Sequence, residues 1–338
     1  MKKLTAIAAT AAMSLLPLAT AQAADFNLRF AHFWPATSGL HAAFESWGTS
    51  LEEASDGRIA VEFYPSQTLT KAPQSYDAVK NRIADVTATV QGYSANRFPL
   101  TQVVELPGMA KTAAQGSCVI QSLYDEGLIS GEYDDTHVLY VFTHGPGDIH
   151  TREKAIHKPE DLAGLKIRRP TTVVAELLEG LGAQPVGMPA PETYPSLQRG
   201  VIDGVSMPWE GIKAFRLNEE TNYHTEIGLY TLSFVVTLNK GVYDEMPDDL
   251  KKIVDEHSGQ VWSQKMAAAF DDQDRQGREE AVAAGHTIIT LEGGAGNPDW
   301  KPVLDAATEK YLSGLEERGL PARDVYARAT ELSKSCGS

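Results

Sequence analysis

Two segments of this chain repeat one pattern, in which short alternating apolar runs flank stretches of helical spacing, and this repetition constrains the fold most. In the first segment, apolar residues alternate over 26–30 and 59–63, and the helical spacing between them stops at Gly57. The second segment has strand-like runs over 164–169 and 201–207, with helical stretches between them. Each segment predicts a βαβ unit. Two such units, in a chain longer than one hydrophobic core usually fills, predict two α/β lobes.

Two further β-rich runs, over 137–142 and 231–238, are interpreted as strands that cross from one lobe to the other. Gly145-Pro146-Gly147 breaks the chain after the first run, so we expect a hinge there. An amphipathic pattern from Pro247 to about Gly285 predicts one long helix. The predicted division is lobe I over 24–145 and about 238–262, lobe II over 146–237 and about 263–295, and C-terminal helices over 296–338.

The N-terminus has the three parts of a secretory signal peptide. Lys2 and Lys3 form the basic part, residues 4–18 are apolar, and Ala21-Gln22-Ala23 is a cleavage site with small residues. We therefore predict a signal peptide over 1–23 and a periplasmic location. Its removal takes away two lysines and no acidic residue, so the formal net charge of −15 becomes −17. A surface this acidic disfavours nucleic acid as a partner, and a site for an anion must be a local positive pocket.

The chain contains two cysteines, Cys118 and Cys336. In an exported protein such a pair favours one disulfide over a metal site, because zinc sites need about four ligands. The alternative is two unpaired thiols. His144, Asp148 and His150 lie close together in a loop, but their irregular spacing is more typical of polar surface than of a metal centre. We expect neither a metal nor a cofactor.

Arg168 is the strongest candidate for binding a ligand. Leu165 and Ile167 are apolar at a period of two, which places Arg168 on the other face of a short strand that ends before Pro170. In open α/β sheets the carboxyl end of a strand faces the ligand crevice, and the planar fork of Arg matches a carboxylate. The alternative is an ordinary solvated Arg, because most arginines are exposed.

Several motifs resemble those of the DctP-like substrate-binding proteins of tripartite ATP-independent periplasmic (TRAP) transporters. They are Phe30-Ala31-His32, Arg97-Phe98-Pro99, Lys166-Ile167-Arg168, Glu-Thr-Tyr-Pro-Ser-Leu-Gln-Arg-Gly-Val-Ile-Asp-Gly over 192–204, and Met-Pro-Asp-Asp-Leu over 246–250. The resemblance implies a two-lobe α/β periplasmic binding protein, with a mixed sheet in each lobe and a long helix that spans both. It also implies the membrane subunits of a TRAP transporter as partners and assigns Arg168 to the anionic group of the ligand.

The remaining site candidates lie at predicted strand ends, which line the cleft in this family. The aromatic residues in this position are Trp34, Tyr93, Trp209 and Phe234, for which packing between the lobes is the alternative. The other candidate binding residues at the same edges are Gln91, His150, Thr171, Met207 and Glu210. In the sialic-acid-binding branch of the family, asparagines occupy the positions of Thr171 and Met207. A polyhydroxylated sugar acid is therefore disfavoured, because its hydroxyls would lose amide partners.

We predict a monomeric binding protein that captures a small organic anion, a carboxylate or sulfonate, and delivers it to an ion-gradient-driven TRAP transporter. An enzyme is disfavoured, because the stretch from Gly204 to Pro208 lacks the second glycine of a nucleophile elbow. Three alternatives stay open. Glu210 could receive the ammonium group of an amine or zwitterion, the protein could be a ligand-sensing module for a receptor kinase, or it could be an exported hydrolase.

Overall fold

The structure is a computed structural model that describes residues 24–337, so the predicted signal peptide over 1–23 lies outside the described residues. Within this range the chain alternates strands and helices. In chain order the strands are β1 (Phe26–Ala31), β2 (Ile59–Tyr64), β3 (Val86–Val90), β4 (Thr136–Thr143), β5 (Gly147–Thr151), β6 (Lys166–Arg169), β7 (Gln184–Gly187), β8 (Gly204–Met207), β9 (Tyr223–Tyr230), β10 (Ser233–Asn239) and β11 (Thr287–Thr290).

The helices surround the strands, and several begin with a side-chain cap that accepts a backbone N–H, as Ser38 and Thr112 do. In chain order they are α1 (Gly39–Ala54), α2 (Ser75–Lys80), α3 (Ala113–Asp125), α4 (Thr172–Gly180), α5 (Thr193–Gln198), α6 (Trp209–Ala214), α7 (Lys240–Glu245), α8 (Asp248–Glu256), α9 (Gly259–Ala283), α10 (Lys301–Glu317) and α11 (Ala322–Cys336). No helix within residues 24–337 is both long and apolar enough to cross a bilayer.

Two mixed sheets form the framework, which confirms the predicted fold class. The first sheet has the order β2-β1-β3-β10-β4, and the second has the order β11-β9-β5-β8-β6-β7. In the first sheet β10 runs antiparallel to β3 and β4, whereas β1, β2 and β3 are parallel. In the second sheet β6 is parallel to β7 and β8, and β5 is antiparallel to β8 and β9.

Two short crossings connect the two sheets, and a third, long connection runs from β10 through α7, α8 and α9 to β11. The chain leaves the first sheet after β4 and enters the second at β5, over residues 144–146, which overlap the hinge predicted at Gly145-Pro146-Gly147. The run over 231–238 begins outside the sheets, because residues 231–232 form the second crossing and β10 starts at Ser233. Both crossings are therefore short and adjacent to strand ends, where backbone torsions can absorb a bending motion. The exact residue limits of the lobes stay a prediction.

The prediction of a single long helix from Pro247 to about Gly285 was wrong, because the chain forms two helices, α8 and α9, over this range. Gly259 has a left-handed φ of 65°, and the carbonyl of His257 accepts the indole N–H of Trp47 at 2.9 Å. Amphipathic spacing continues through such a break because both helices pack on the same core. The longer helix, α9, nevertheless contacts α1, α3 and β4 on the first-sheet side and α6 on the second-sheet side.

The C-terminal helices pack on both halves of the molecule. Helix α10 lies against α4, and α11 lies against α3. The side chain of Gln115 on α3 donates to the Ser333 carbonyl of α11 at 2.7 Å. Cys118 and Cys336 form a disulfide between the same two helices, with their Cα atoms 5.8 Å apart. The C-terminal segment is thereby attached to the first-sheet half.

Candidate functional site

A small cavity lies between the two sheets, at the carboxyl ends of strands from both. Strands β1 and β3 and the start of β10 contribute its first-sheet side, and β6 and β8 contribute its second-sheet side. Its free volume is about 20 Å³, and it is lined by Phe33, Trp34, Val90, His144, Arg168, Ala190, Met207, Pro208, Glu210, Phe215, Leu232 and Phe234. This is the position where ligands bind in open α/β folds.

Arg168 is the cation of this cavity. Its side chain is only 1 % exposed, and three of its five N–H groups are used by the protein. Nε donates to the Met188 carbonyl at 3.1 Å, Nη1 to the Ser206 carbonyl at 3.1 Å, and Nη2 to the Tyr93 hydroxyl at 3.2 Å. One N–H on each terminal nitrogen is left over, with only the weakly accepting sulphur of Met207 at 3.7 Å from Nη1.

The guanidinium of Arg168 has no carboxylate within ion-pair distance among residues 24–337. A buried charge is costly unless a counter-charge and hydrogen bonds compensate for its lost hydration. The protein supplies the hydrogen bonds but not the counter-charge. Two N–H groups on neighbouring nitrogens form the fork that accepts a carboxylate through two parallel bonds. A carboxylate would supply both the missing counter-charge and acceptors for the two remaining N–H groups.

Tyr93 connects the two sides of the cleft. It ends the 3₁₀ turn Gln91–Tyr93 that follows β3 of the first sheet. Its hydroxyl accepts from Arg168 Nη2 and, at 3.0 Å, from the backbone N–H of Ala190, both on the second-sheet side. These bonds exist only while the two halves are together, so the cleft is closed in this structure.

Four aromatic rings, Phe33, Trp34, Phe215 and Phe234, lie in the cavity wall. Phe33 stacks on Trp34 with ring centroids 3.9 Å apart, and Trp34 lies 5.6 Å from Phe234. Phe33 and Phe215 come from opposite sides of the cleft, with nearly parallel rings 6.4 Å apart. The same two rings also line an open surface groove beside Tyr194. They therefore separate the cavity from solvent, and a ligand must pass them.

Glu210 is the second ionisable group in the wall. Its side chain is 3 % exposed, and burial raises the pKa of its carboxyl to about 8, although a hydrogen bond from Trp34 acts in the opposite direction. Its Oε1 has no hydrogen-bond partner among the described residues. The backbone N–H of Glu210 donates to Asp274 at 2.5 Å, which holds the start of α6 against α9. The cavity thus contains an unsatisfied carboxyl oxygen as well as an unpaired guanidinium.

The structure brings together six of the ten candidate binding residues. Arg168, Trp34, Met207, Glu210 and Phe234 line the cavity, and Tyr93 contacts Arg168 through its hydroxyl. The solvated alternative for Arg168 does not hold, because the side chain is buried. The other four candidates, Gln91, His150, Thr171 and Trp209, do not line this cavity, and each has a different partner.

Thr171 contributes to contact between the two halves. It caps α4, and its hydroxyl donates to Glu105 Oε2 at 2.9 Å. Glu105 also accepts from the hydroxyl of Ser233 at 2.7 Å and from Gln102 at 3.2 Å. Burial raises the pKa of Glu105 to about 7, despite these hydrogen bonds. Thr171 and Glu105 thus form a polar contact across the cleft, behind the cavity.

His150 and Trp209 pack against each other and do not line the cavity. His150 Nε2 lies 3.0 Å from the Met207 carbonyl, and its Nδ1 lies 2.7 Å from His224. The indole N–H of Trp209 donates to Glu226 at 3.1 Å, and the ring packs on His150. Both side chains are satisfied by protein partners, so they support the cavity wall.

Gln91 is also engaged elsewhere, because its amide donates to the Tyr133 hydroxyl at 2.5 Å in the interior of the first-sheet half. Within residues 24–337 no group of three or more His, Cys, Asp or Glu side chains is arranged to hold a metal. His144, considered above for metal binding, instead accepts the N–H of Leu232 at 3.2 Å. Burial lowers its pKa to about 3, so its ring is neutral beside Arg168.

Sequence reasoning missed several wall residues, of which Phe33, Phe215 and Leu232 are the largest. Phe33 precedes Trp34 in the same loop after β1, so the aromatic pair was a usable signal. Leu232 lies between the two β-rich strands at the second crossing, which also could have marked it. Phe215 follows the six-residue helix α6, and nothing in its neighbourhood distinguishes it from a core residue.

The buried carboxyls predict an unusual dependence of stability on pH. Burial raises the pKa of Glu105 and Asp148 to about 7 and that of Glu210 to about 8. The folded protein therefore keeps these protons at pH values where the unfolded chain has lost them, and stability falls as pH rises towards 8. The buried histidines His144 and His150 have lowered pKa values, so they reduce stability only below about pH 6.5.

We therefore expect the ligand-free protein to lose stability between pH 6.5 and 8.5, by about 2 kcal/mol from Glu210 alone. Thermal unfolding across this range measures the slope. The variant Glu210→Gln, which has no proton to lose, should have a shallower slope, whereas exposed Glu179→Gln should behave like wild type. A slope that is equal in all three proteins would contradict the assignment.

Comparison with known proteins gives a consistent picture. The family model for DctP, bacterial extracellular solute-binding protein, family 7, matches residues 30–313. A crystal structure of a TRAP solute-binding protein from an unidentified marine microbe, specific for aromatic acid ligands and in complex with 3-hydroxybenzoate, is 36% identical with a TM-score of 0.89, and the match covers 92% of this chain and 99% of that one.

Two further relatives agree. A TRAP solute-binding protein from Rhodoferax ferrireducens T118, in complex with copurified benzoate, is 34% identical with a TM-score of 0.87, and the match covers 92% of this chain and 98% of that one. A solute-binding protein of Roseobacter denitrificans is 26% identical over 250 residues, which is 73% of this chain and 76% of the relative.

Proposed function

Because this chain belongs to the DctP family of bacterial extracellular solute-binding proteins, which serve TRAP transporters, we propose that it captures an aromatic monocarboxylate in the periplasm for transport. One observation carries the proposal. The guanidinium of Arg168 is buried without a counter-ion in a cavity whose wall includes four aromatic rings, Phe33, Trp34, Phe215 and Phe234. A ligand with one carboxylate and a flat apolar body complements both features.

The carboxylate is assigned to Arg168 on the geometry of its free N–H groups. Two donors are held by Met188 and Ser206 of the same half, which fix the plane of the guanidinium before a ligand arrives, and Tyr93 engages a third donor when the cleft closes. Such preorganisation lowers the entropy lost on binding. Bidentate binding suits the planar carboxylate better than the tetrahedral sulfonate, so we propose the carboxylate as the preferred anion.

The aromatic body is assigned from the wall. Phe33, Phe215 and Phe234 present ring faces and edges, which stabilise a flat ligand ring through offset or edge-to-face packing. Met207 and Leu232 add apolar surface instead of amide groups, so a sugar acid would leave several hydroxyls without partners. Two relatives above one third identical were crystallised with 3-hydroxybenzoate and benzoate, and the similarity supports the same ligand class here.

Delivery follows from the closed cleft. Tyr93 and Phe33 approach Arg168 and Phe215 from the opposite side, so a ligand can contact all four only when the cleft is closed. Ligand binding then stabilises the closed cleft, and the closed form differs in shape from the open form. We propose that the TRAP membrane subunits recognise this closed form of a monomeric binding protein.

Calorimetric titration of ligand-stripped protein tests the function. We expect benzoate and 3-hydroxybenzoate to bind, phenylsulfonate to bind more weakly, and glucuronate to bind at least a hundredfold more weakly, since each buried unpaired hydroxyl costs about 1–3 kcal/mol. Native mass spectrometry of the untreated protein would identify any copurified acid. Binding of glucuronate alone, or of phenethylamine alone, would contradict the proposal.

A further inference from the structure

Glu210 is a feature of the cavity that an arginine-bound carboxylate leaves unexplained. Its side chain is 3 % exposed, faces the cavity, and leaves Oε1 without a hydrogen-bond partner among the described residues. An unsatisfied polar atom in a protein interior costs about 1–3 kcal/mol. Proteins keep such atoms mainly where a ligand or water satisfies them.

The side chains of Glu210 and Arg168 do not contact each other. Both side chains line the same cavity. The structure records no ion pair between them, so their nitrogen and oxygen atoms are more than 4.0 Å apart. Glu210 is held in this position from behind, because its backbone N–H donates to Asp274 on α9. A bound ligand can therefore meet Arg168 with its carboxylate and Glu210 with a second group.

The surroundings of Glu210 favour the neutral acid. Trp34 hydrogen-bonds its carboxyl, but no cation pairs with it within residues 24–337. Burial is the main cause that raises the pKa of the Glu210 carboxyl, and Asp274, which accepts its backbone N–H, is itself buried. A protonated carboxyl has one O–H donor and keeps acceptor capacity. It can donate to a ligand oxygen and accept from a ligand hydroxyl.

We propose that protonated Glu210 hydrogen-bonds a hydroxyl group on the ligand ring, so that the ligand class is a hydroxylated aromatic monocarboxylate. This inference rests on the proposed function. The carboxylate binds Arg168, the ring lies between the aromatic walls, and the hydroxyl satisfies Oε1 of Glu210. A second carboxylate at that end would be buried without a cation to pair with, so aromatic dicarboxylates are disfavoured.

Titration with a series of matched ligands tests the role of Glu210. The probes are benzoate, its 3-hydroxy and 4-hydroxy forms, isophthalate and 3-(aminomethyl)benzoate, whose ammonium would favour ionised Glu210. We expect wild type to bind one hydroxybenzoate about tenfold more tightly than benzoate, which corresponds to about 1.4 kcal/mol. In Glu210→Leu this preference should disappear while benzoate still binds. Exposed Glu179→Leu should keep the wild-type preference.

Glu210→Gln provides a second arm if the leucine variant fails to fold. Its amide can donate and accept, so the hydroxyl preference should stay within about threefold of wild type. Calorimetric titrations in two buffers of different ionisation enthalpy measure how many protons are released when the ligand binds. We expect no release with the hydroxybenzoates near pH 6.5. Tightest binding of 3-(aminomethyl)benzoate with release of a proton, or an unchanged hydroxyl preference in Glu210→Leu, would overturn the inference.

A wrong proposed function and a wrong role for Glu210 would give different experimental results. If wild type binds none of the benzoates, the proposed function is wrong. If it binds benzoate and both hydroxybenzoates equally, and Glu210→Leu changes nothing, the function stands and only the role of Glu210 is wrong.

Discussion

Arg168→Ala is expected to weaken binding of the aromatic acid by roughly 30-fold to several thousand-fold. Truncating one partner of a buried, hydrogen-bonded charge pair costs about 2–5 kcal/mol, because the other charge stays desolvated without a partner. Here the ligand carboxylate would face a cavity with no other cation in its wall. Calorimetric titration with benzoate measures the loss, and thermal unfolding checks that the variant is folded.

Two further variants make the result specific to the guanidinium of Arg168. Arg168→Lys should recover only part of the affinity, since an ammonium cannot form the two parallel bonds of the fork. Arg169 is the matched control, because it follows on the same strand but is partly exposed and packs over Gly187. Arg169→Ala should bind like wild type. If Arg168→Ala binds benzoate normally, the carboxylate lies elsewhere and the proposed orientation of the ligand is wrong.

Replacing both cysteines, as Cys118→Ser with Cys336→Ser, is expected to lower the free energy of unfolding by roughly 2–5 kcal/mol. The disulfide joins residues 218 positions apart, and in the chain-entropy model a crosslink over so long a loop strongly restricts the unfolded chain. It also holds α11 on α3, where Gln115 bonds the Ser333 carbonyl. Urea unfolding of the variant and of wild type measures the difference.

Reduction provides the matched control for this prediction. A reducing agent should destabilise wild type by a similar amount and leave the double variant unchanged. Thiol titration of denatured, unreduced wild type should find no free thiol, whereas two free thiols per chain would contradict the pairing. Affinity for benzoate should change little, because neither cysteine lines the cavity.

The neighbouring residues Trp209 and Glu210 show where sequence reasoning reached its limit. Both follow Pro208 at the end of β8, and both were candidates for the cleft. The structure turns Glu210 into the cavity and Trp209 away from it, towards Glu226 and His150. Which of two adjacent side chains faces a cavity at a helix start depends on how that helix packs, here on the bond from Glu210 to Asp274. Asp274 lies 64 positions further along the chain.

Thr171 shows the same limit for a polar residue. It lies at a strand end near Arg168, yet its hydroxyl bonds Glu105, which comes from a distant 3₁₀ turn of the first-sheet half. The break between α8 and α9 is similar, because the amphipathic pattern continues across it while Gly259 and Trp47 decide the turn.

The sequence by itself determined the two βαβ units, the mixed α/β class and the placement of Arg168 at a strand end. These features depend on the period of the backbone, and a few neighbouring residues display that period directly. Only the tertiary structure decided which side chains meet in the cleft, that Arg168 lacks a counter-ion, and that Glu210 is unsatisfied. Those properties arise from contacts between residues far apart in the chain, and burial, which sets their charge and hydrogen bonding, exists only after the halves have packed.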